Sequence, residues 1–135
     1  MKITRECDYA FRIILMLSGL DDGSIADAHT ISESQSIPRQ FTLKILRKLL
    51  DAGYVKSFKG ARGGYALNMA AEDISLNDII TAIDGKVGIN ECFSCGYKCN
   101  RVENTDDCPV HTRLSSVNQL ITDELKKISF ASLIN

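Results

Sequence analysis

Two short stretches of alternating residues flank a glycine-rich turn in the middle of the chain. Tyr54-Val-Lys-Ser-Phe58 and Tyr65-Ala-Leu67 alternate apolar with polar or small residues, and Lys59-Gly-Ala-Arg-Gly-Gly64 lies between them. Alternation predicts half-buried strands, and a short connection containing glycine predicts that they pair as an antiparallel hairpin. Because glycine adopts backbone angles that other residues avoid, the tip of this hairpin can approach a partner closely.

Three amphipathic helices are predicted before this hairpin, because apolar residues recur at intervals of three to four. The first runs from Thr4, its N-cap, to Leu20, the second starts near Asp27 and stops near Ser36, and the third spans residues 39–52. Ile37-Pro38 separates the last two helices, since a residue before proline avoids the α region and proline suits a first helical turn.

The third helix is predicted to bury one face and to carry its basic residues on the other. Its apolar residues are Phe41, Leu43, Ile45, Leu46, Leu49 and Leu50. Two helices joined by a tight turn and followed directly by a hairpin form a winged helix-turn-helix. The predicted fold class is therefore mainly α, with a small β-hairpin wing.

The charge distribution places positive charge in the same region. The net charge of −1 by itself predicts no nucleic-acid binding, yet residues 1–70 carry +3 and residues 71–135 carry −4. From Pro38 to Arg62, seven bases stand against one acid. Such a local basic surface attracts a phosphate backbone, and the alternative is a solvated helix face followed by a charged turn. Lys59 and Arg62 lie on the turn, where they can reach a minor groove or its phosphates.

The second half of the chain contains a short helix and a long one. The short helix begins near Ser75, whose capping partner is Asp78, and ends at Gly85. The long helix lies beyond Pro109, and its apolar stripe consists of Leu114, Val117, Leu120, Ile121, Leu125 and Ile128. A helix of this kind either packs against a two-fold partner or folds back on its own core.

The predicted organisation is one compact unit with an appended segment, as a length of 135 residues suggests. Its parts are a DNA-binding domain (1–70), a connecting helix (71–87), a cysteine-rich loop (88–108), and a long helix with a tail (109–135). The N-terminus has only a short apolar run, so neither a secretory signal nor a membrane span is expected. We therefore expect a cytoplasmic protein without a membrane partner.

Four of the five cysteines and one of the two histidines lie between Cys92 and His111. In a reducing compartment, clustered thiols more often bind metal or perform redox chemistry than form disulfides, and five cysteines fit a complete disulfide set poorly. The segment is consistent with an iron-sulfur cluster, structural zinc or a metal-free thiol switch. Cys7, outside the segment, is expected to be a packed thiol.

An enzyme is the hypothesis from a different class, because a small redox enzyme would also place cysteines on a loop. The chain has no dinucleotide-binding glycine motif and no P-loop, and no acid-base constellation accompanies the thiols. We therefore expect no catalytic residues.

With these motifs in place, the chain resembles the Rrf2 family of bacterial winged-helix transcriptional regulators, which includes iron-sulfur sensors. The resemblance covers nearly the whole length and is strongest in Ser57-Phe-Lys-Gly-Ala-Arg-Gly-Gly-Tyr65 and Ile74-Ser-Leu-Asn-Asp-Ile-Ile80. It implies a homodimeric repressor that crosses its C-terminal helices and sets two recognition helices into successive major grooves of a palindromic operator. That operator would be double-stranded DNA.

The resemblance also implies which residues contact DNA. These are Arg39, Gln40 and Lys44 at the exposed start of the recognition helix, and Lys59 and Arg62 on the wing. Arginine and glutamine can read guanine and adenine edges, whereas lysines more often hold phosphates. Where some relatives carry Leu-Glu after the aromatic residue, this chain has Thr42-Leu43, so a specificity rule based on that glutamate does not transfer.

In cluster-binding members, three cysteines precede the dimer helix, and the residues that align with them best are Cys92, Cys99 and Cys108. The fourth ligand would be either Asp8 of the partner subunit or His111, and Cys95 is an extra thiol and an alternative ligand. The resemblance implies a 2Fe-2S or 4Fe-4S cluster that controls operator affinity in response to redox state, nitric oxide or cluster status. Zinc is the alternative cofactor.

Overall fold

The computed structural model describes residues 1–134, which form five α-helices and one two-stranded antiparallel sheet. The elements are α1 (Arg5–Ser18), α2 (Ala28–Gln35), α3 (Arg39–Asp51), β1 (Val55–Phe58), β2 (Gly64–Leu67), α4 (Leu76–Asp84) and α5 (Pro109–Lys127). Short 3₁₀ turns lie at Ala71–Asp73, Glu91–Phe93, Thr105–Asp107 and Phe130–Leu133. The predicted class, mainly helical with a hairpin wing, is confirmed.

Local capping explains where the helices begin. The Thr4 hydroxyl accepts a hydrogen bond from the Cys7 backbone N–H and starts α1, as predicted. The Ser75 and Asp78 side chains form a reciprocal capping box at the start of α4, also as predicted. Thr4 further donates its hydroxyl proton to the Asp84 carboxylate at 2.6 Å, so the start of α1 is tied to the end of α4.

The hydrophobic core lies among α1, α3 and α4 and is closed by Phe130 from the C-terminal 3₁₀ turn. Its fully buried side chains include Ile13, Ile14, Ile31, Ile45, Leu46, Leu49, Ile74, Ile79 and Phe130. Within residues 1–134, no helix combines the length and hydrophobicity needed to cross a membrane.

The buried face of α3 differs from the predicted one at its N-terminal end. Phe41 and Leu43 are 40% and 45% exposed, whereas Thr42 between them is fully buried. The Thr42 hydroxyl donates to the Pro38 carbonyl oxygen at 3.3 Å, so its polar group is satisfied inside the core. Since Leu43 lies three and four positions from Gln40 and Arg47, it shares their outward face.

The wing is a hairpin whose register pairs Val55 with Leu67 and Phe58 with Gly64. Tyr65 also exchanges two backbone hydrogen bonds with Ala26, at 3.0 and 2.7 Å, which fastens the wing to the segment before α2. A Cβ added at Gly64 would lie 2.7 Å from the Ala26 carbonyl oxygen. The glycine is therefore required by the close approach of the chain's own backbone.

One part of the apolar stripe predicted on α5 packs against the core, and another part is exposed to solvent. Ile121 and Leu125 pack against the core, whereas Val117 and Leu120 are 45% and 67% exposed. In the single chain α5 therefore folds back on the core along part of its length and leaves another apolar strip uncovered. This strip is available for the predicted two-fold partner.

Candidate functional site

A small cavity of about 90 Å³ lies inside the cysteine-rich segment. Its lining residues are Asn90, Cys92, Tyr97, Cys99, Val102, Thr105, Cys108, Val110 and His111. Three cysteines and the histidine, which are up to 19 positions apart, thus border one space. They are the three cysteines that were predicted above as ligands, together with one of the two predicted candidates for the fourth ligand.

The N-terminus of α5 positions two of these side chains. Cys108 is the N-cap of α5, and its sulfur accepts a hydrogen bond from the His111 backbone N–H at 3.5 Å. The His111 imidazole Nδ1 lies 3.1 Å from the Cys92 sulfur, and the ring stacks on Phe93 with centroids 4.7 Å apart. His111 therefore connects the start of the loop to its end.

Backbone N–H groups stabilise the thiolate forms of two cavity cysteines. The His111 N–H lowers the pKa of Cys108 below its ordinary value. The Arg101 N–H, 3.4 Å from the Cys99 sulfur, likewise lowers the pKa of Cys99. Because metals and clusters are held by thiolates, this environment favours the ligating form of both side chains.

The remaining cysteines have different surroundings. Cys95 is exposed and lies outside the cavity lining. Cys7 is completely buried, and its burial, with Asp84 nearby, raises its pKa to about 12. The prediction that Cys7 is a packed thiol is confirmed. Asp8 is on α1 and pairs with Arg12 at 2.9 Å, so its role as a ligand in the partner subunit stays a prediction.

Three thiols and one imidazole around one cavity are a donor set that both iron-sulfur clusters and structural zinc use. Within residues 1–134, no three His, Cys, Asp or Glu side chains converge closely enough to hold one metal ion.

Asn118 is a site residue that the sequence pattern did not reveal. It is buried on α5, and its side chain makes two hydrogen bonds. Its Oδ1 accepts from the Ile89 backbone N–H at 2.9 Å, and its Nδ2 donates to the Val87 carbonyl oxygen at 3.1 Å. It thereby fastens the start of the cysteine loop to the helix that follows the loop. Its position between Leu114 and Ile121, on the inward face of α5, was the available signal.

The residues predicted to contact DNA are all exposed, and they lie on two adjoining elements. These are Arg39, Gln40 and Lys44 on α3, and Lys59 and Arg62 at the wing tip. Lys44 Nζ lies 3.8 Å from the Glu6 carboxylate, and Lys48 forms a shorter ion pair with the same group at 2.8 Å. Glu6 therefore neutralises part of the positive charge on α3. Arg39 at the helix start, and Lys59 and Arg62 on the wing, form none of the ion pairs found within residues 1–134.

The structure adds exposed residues to this surface that were not assigned to DNA contact. Arg47 and Leu43 share the outward face of α3, and Phe58 is exposed on β1 with the Lys56 ammonium 5.7 Å from its ring centre. The sequence placed Leu43 among the core residues, because apolar character alone does not distinguish a core position from an exposed one.

Comparison with known proteins identifies similar chains. A family model described as "Rrf2: Iron-dependent Transcriptional regulator" matches residues 3–135. NsrR of Bacillus subtilis, an HTH-type transcriptional regulator, is 31% identical over 93 residues, which is 69% of this chain and 64% of NsrR. This match thus spans less than two thirds of NsrR. IscR of Vibrio vulnificus is 31% identical over all 135 residues, or 78% of its own length. These relatives are regulators, not enzymes.

Two solved structures share the fold. CymR, described as the global cysteine regulator of B. subtilis, has a TM-score of 0.77 at 20% identity and covers 98% of this chain and 95% of its own. IscR of T. potens has a TM-score of 0.74 at 23% identity, with 98% and 85% covered. At these identities the structural likeness shows the fold alone.

Proposed function

Because the chain belongs to the Rrf2 family of transcriptional regulators, we propose that it is a dimeric DNA-binding repressor whose operator affinity is controlled by an iron-sulfur cluster. The observation that carries this proposal is the cavity bordered by Cys92, Cys99, Cys108 and His111. A cytoplasmic location is part of the same proposal.

The exposed basic residues of α3 and the wing support duplex DNA as the partner. Arg39 and Gln40 at the start of α3 would read base edges in the major groove. Lys59 and Arg62 would contact the minor groove or its phosphates, while Lys44 would position the helix on the backbone. Residues 1–70 would form the DNA-binding part and residues 71–87 the connection to the loop.

The exposed strip of α5 supports a homodimer. Val117 and Leu120 are large apolar residues on a helix whose other face already packs on the core. Burial of this strip against the same strip of a second copy would remove it from water, and it would place two recognition helices in a symmetric pair suited to a palindrome. Residues 109–135 would thus supply the dimer contact.

Cys92, Cys99 and Cys108 would hold the cluster in the loop 88–108, with His111 or Asp8 of the partner subunit as the fourth ligand. When bound, the cluster would supply a centre that responds to redox state or nitric oxide. His111 is supported by its 3.1 Å approach to Cys92. The loop adjoins the DNA-binding part, because the N-terminal ammonium of Met1 donates to the Ile89 carbonyl oxygen at 3.5 Å. A conformational change in the loop could therefore alter the position of the segment that leads into α1.

A metal-free thiol switch is the second candidate. The exposed Cys95 lies three residues after Cys92, and such spacing allows two thiols to form a disulfide under oxidation. A third candidate is a winged-helix regulator in which the same loop binds structural zinc.

Anaerobic purification tests the proposal. We expect a coloured protein whose visible absorption accompanies iron and acid-labile sulfide in comparable amounts. A colourless protein with one tightly held zinc per chain would contradict cluster sensing and favour structural zinc. A colourless, metal-free protein whose operator affinity responds to a thiol oxidant would favour the thiol switch.

The wing gives a separate prediction about DNA. We expect Lys59→Ala and Arg62→Ala to weaken operator binding and each to reduce the slope of log affinity against log salt by about 0.9, the value for one lost phosphate contact. Titrations over a salt series measure the slope, and Lys126→Ala on the last turn of α5 is the matched control. Slopes equal to those of the unaltered protein would exclude the wing from the interface.

A further inference from the structure

Arg101 contacts two of the cavity cysteines from one position in the loop. Its guanidinium Nη2 lies 2.9 Å from the Cys108 sulfur, and its backbone N–H lies 3.4 Å from the Cys99 sulfur. Cys99 and Cys108 are nine residues apart, so Arg101 links the middle of the loop to the start of α5. Both contacts are donated hydrogen bonds to atoms that would ligate iron.

The charge of Arg101 is directed to sulfur although acids are close in the sequence. Glu103, Asp106 and Asp107 follow within six residues. Among the ion pairs formed by residues 1–134, none involves Arg101. These three carboxylates are exposed, and a guanidinium ordinarily pairs strongly with such a group. Because Arg101 contacts a thiol although carboxylates are near in the sequence, we attribute its position to the fold of the loop.

We propose that Arg101 is a positioning residue for the cluster, which holds the Cys108 sulfur through its guanidinium and the Cys99 sulfur through its backbone N–H. This inference rests on the proposed function. Hydrogen bonds and positive charge at ligand sulfurs stabilise the more negative, reduced state of a cluster, so Arg101 raises its reduction potential. The same contacts hold two ligands in place and slow the loss of the cluster.

Arg101→Ala and Arg101→Lys separate the side-chain contact from the charge. We expect both variants to retain the backbone contact to Cys99 and to bind the cluster anaerobically. In Arg101→Ala the midpoint potential should fall, and the half-life of the cluster under air should shorten about tenfold, which is the scale of the metal affinity lost when other residues that support metal ligands are replaced. Arg101→Lys should be intermediate, since lysine keeps the charge without the planar fork.

Lys98→Ala is the matched control, because it removes one exposed positive charge from the same loop without removing a contact to sulfur. Redox titration followed by absorption, and decay of that absorption under air, are the readouts. If Arg101→Ala has the potential and half-life of Lys98→Ala, the inference is overturned while the proposed function stands. If the unaltered protein contains no iron and sulfide, both are overturned.

Discussion

Cys108→Ser is expected to abolish cluster binding, whereas Cys95→Ser retains the cluster at the level of the unaltered protein. Cys108 borders the cavity, whereas the Cys95 thiol is exposed outside its lining. Serine removes the thiolate that iron requires. It should nevertheless preserve the fold, because Cys108 is the N-cap of α5 and serine is a preferred N-cap residue.

Anaerobic absorption spectroscopy with iron and sulfide analysis measures the difference in cluster content. The operator affinity of Cys108→Ser should equal that of the cluster-free protein. Far-ultraviolet circular dichroism checks that α5 is intact. Loss of the cluster in Cys95→Ser together with retention in Cys108→Ser would refute the ligand set.

The same assay distinguishes the two candidates for the fourth ligand. His111→Ala removes an imidazole that lies 3.1 Å from Cys92, while Asp8→Ala removes a carboxylate paired with Arg12. If His111 is the ligand, only the first variant loses the cluster spectrum and lifetime. If Asp8 of the partner subunit is the ligand, only the second does.

Gly64→Ala is expected to detach the wing and destabilise the fold by about 1–3 kcal/mol, as overpacking against rigid atoms does. The added Cβ would meet the Ala26 backbone at 2.7–2.8 Å, so the two hydrogen bonds between Ala26 and Tyr65 must lengthen or break. Operator affinity should fall as well, because Lys59 and Arg62 lose their fixed position relative to α3.

Denaturant unfolding measures the stability, and hydrogen exchange at the Ala26 and Tyr65 amides reports the attachment of the wing. Gly19→Ala is the control, since its Cβ would have no contact shorter than 3.6 Å. Unchanged amide protection in Gly64→Ala would show that the bridge persists beside the added methyl group, and it would contradict this prediction.

Much of the fold follows from local signals. The N-caps Thr4 and Ser75, the break at Pro38 and the alternation around the hairpin all act within a few residues, so the sequence contains their full cause. The burial of Thr42 in place of Leu43 was not predictable in the same way. It depends on how α3 is rotated against the core and on a hydroxyl bond to Pro38.

The candidate site was predicted in its residues but not in its arrangement. Clustering in the sequence identified the thiols, and resemblance to the family selected three of them. The approach of His111 to Cys92 and the contacts of Arg101 depend on the path of a loop with little apolar periodicity. Glu6 was also missed as the partner of Lys44 and Lys48, because a pair between α1 and α3 has no local signature.

The hydrogen bonds of Asn118 have a consequence for the entropy of ordering the cysteine loop. They hold Val87 and Ile89 against α5, and the loop rejoins that helix at Cys108. Both ends of the loop are therefore held at one helix by contacts that do not involve the thiols. The entropy of closing the loop is thus offset by these contacts and not by a group bound at the thiols. A cluster bound as we propose would form on a loop whose ends are already fixed.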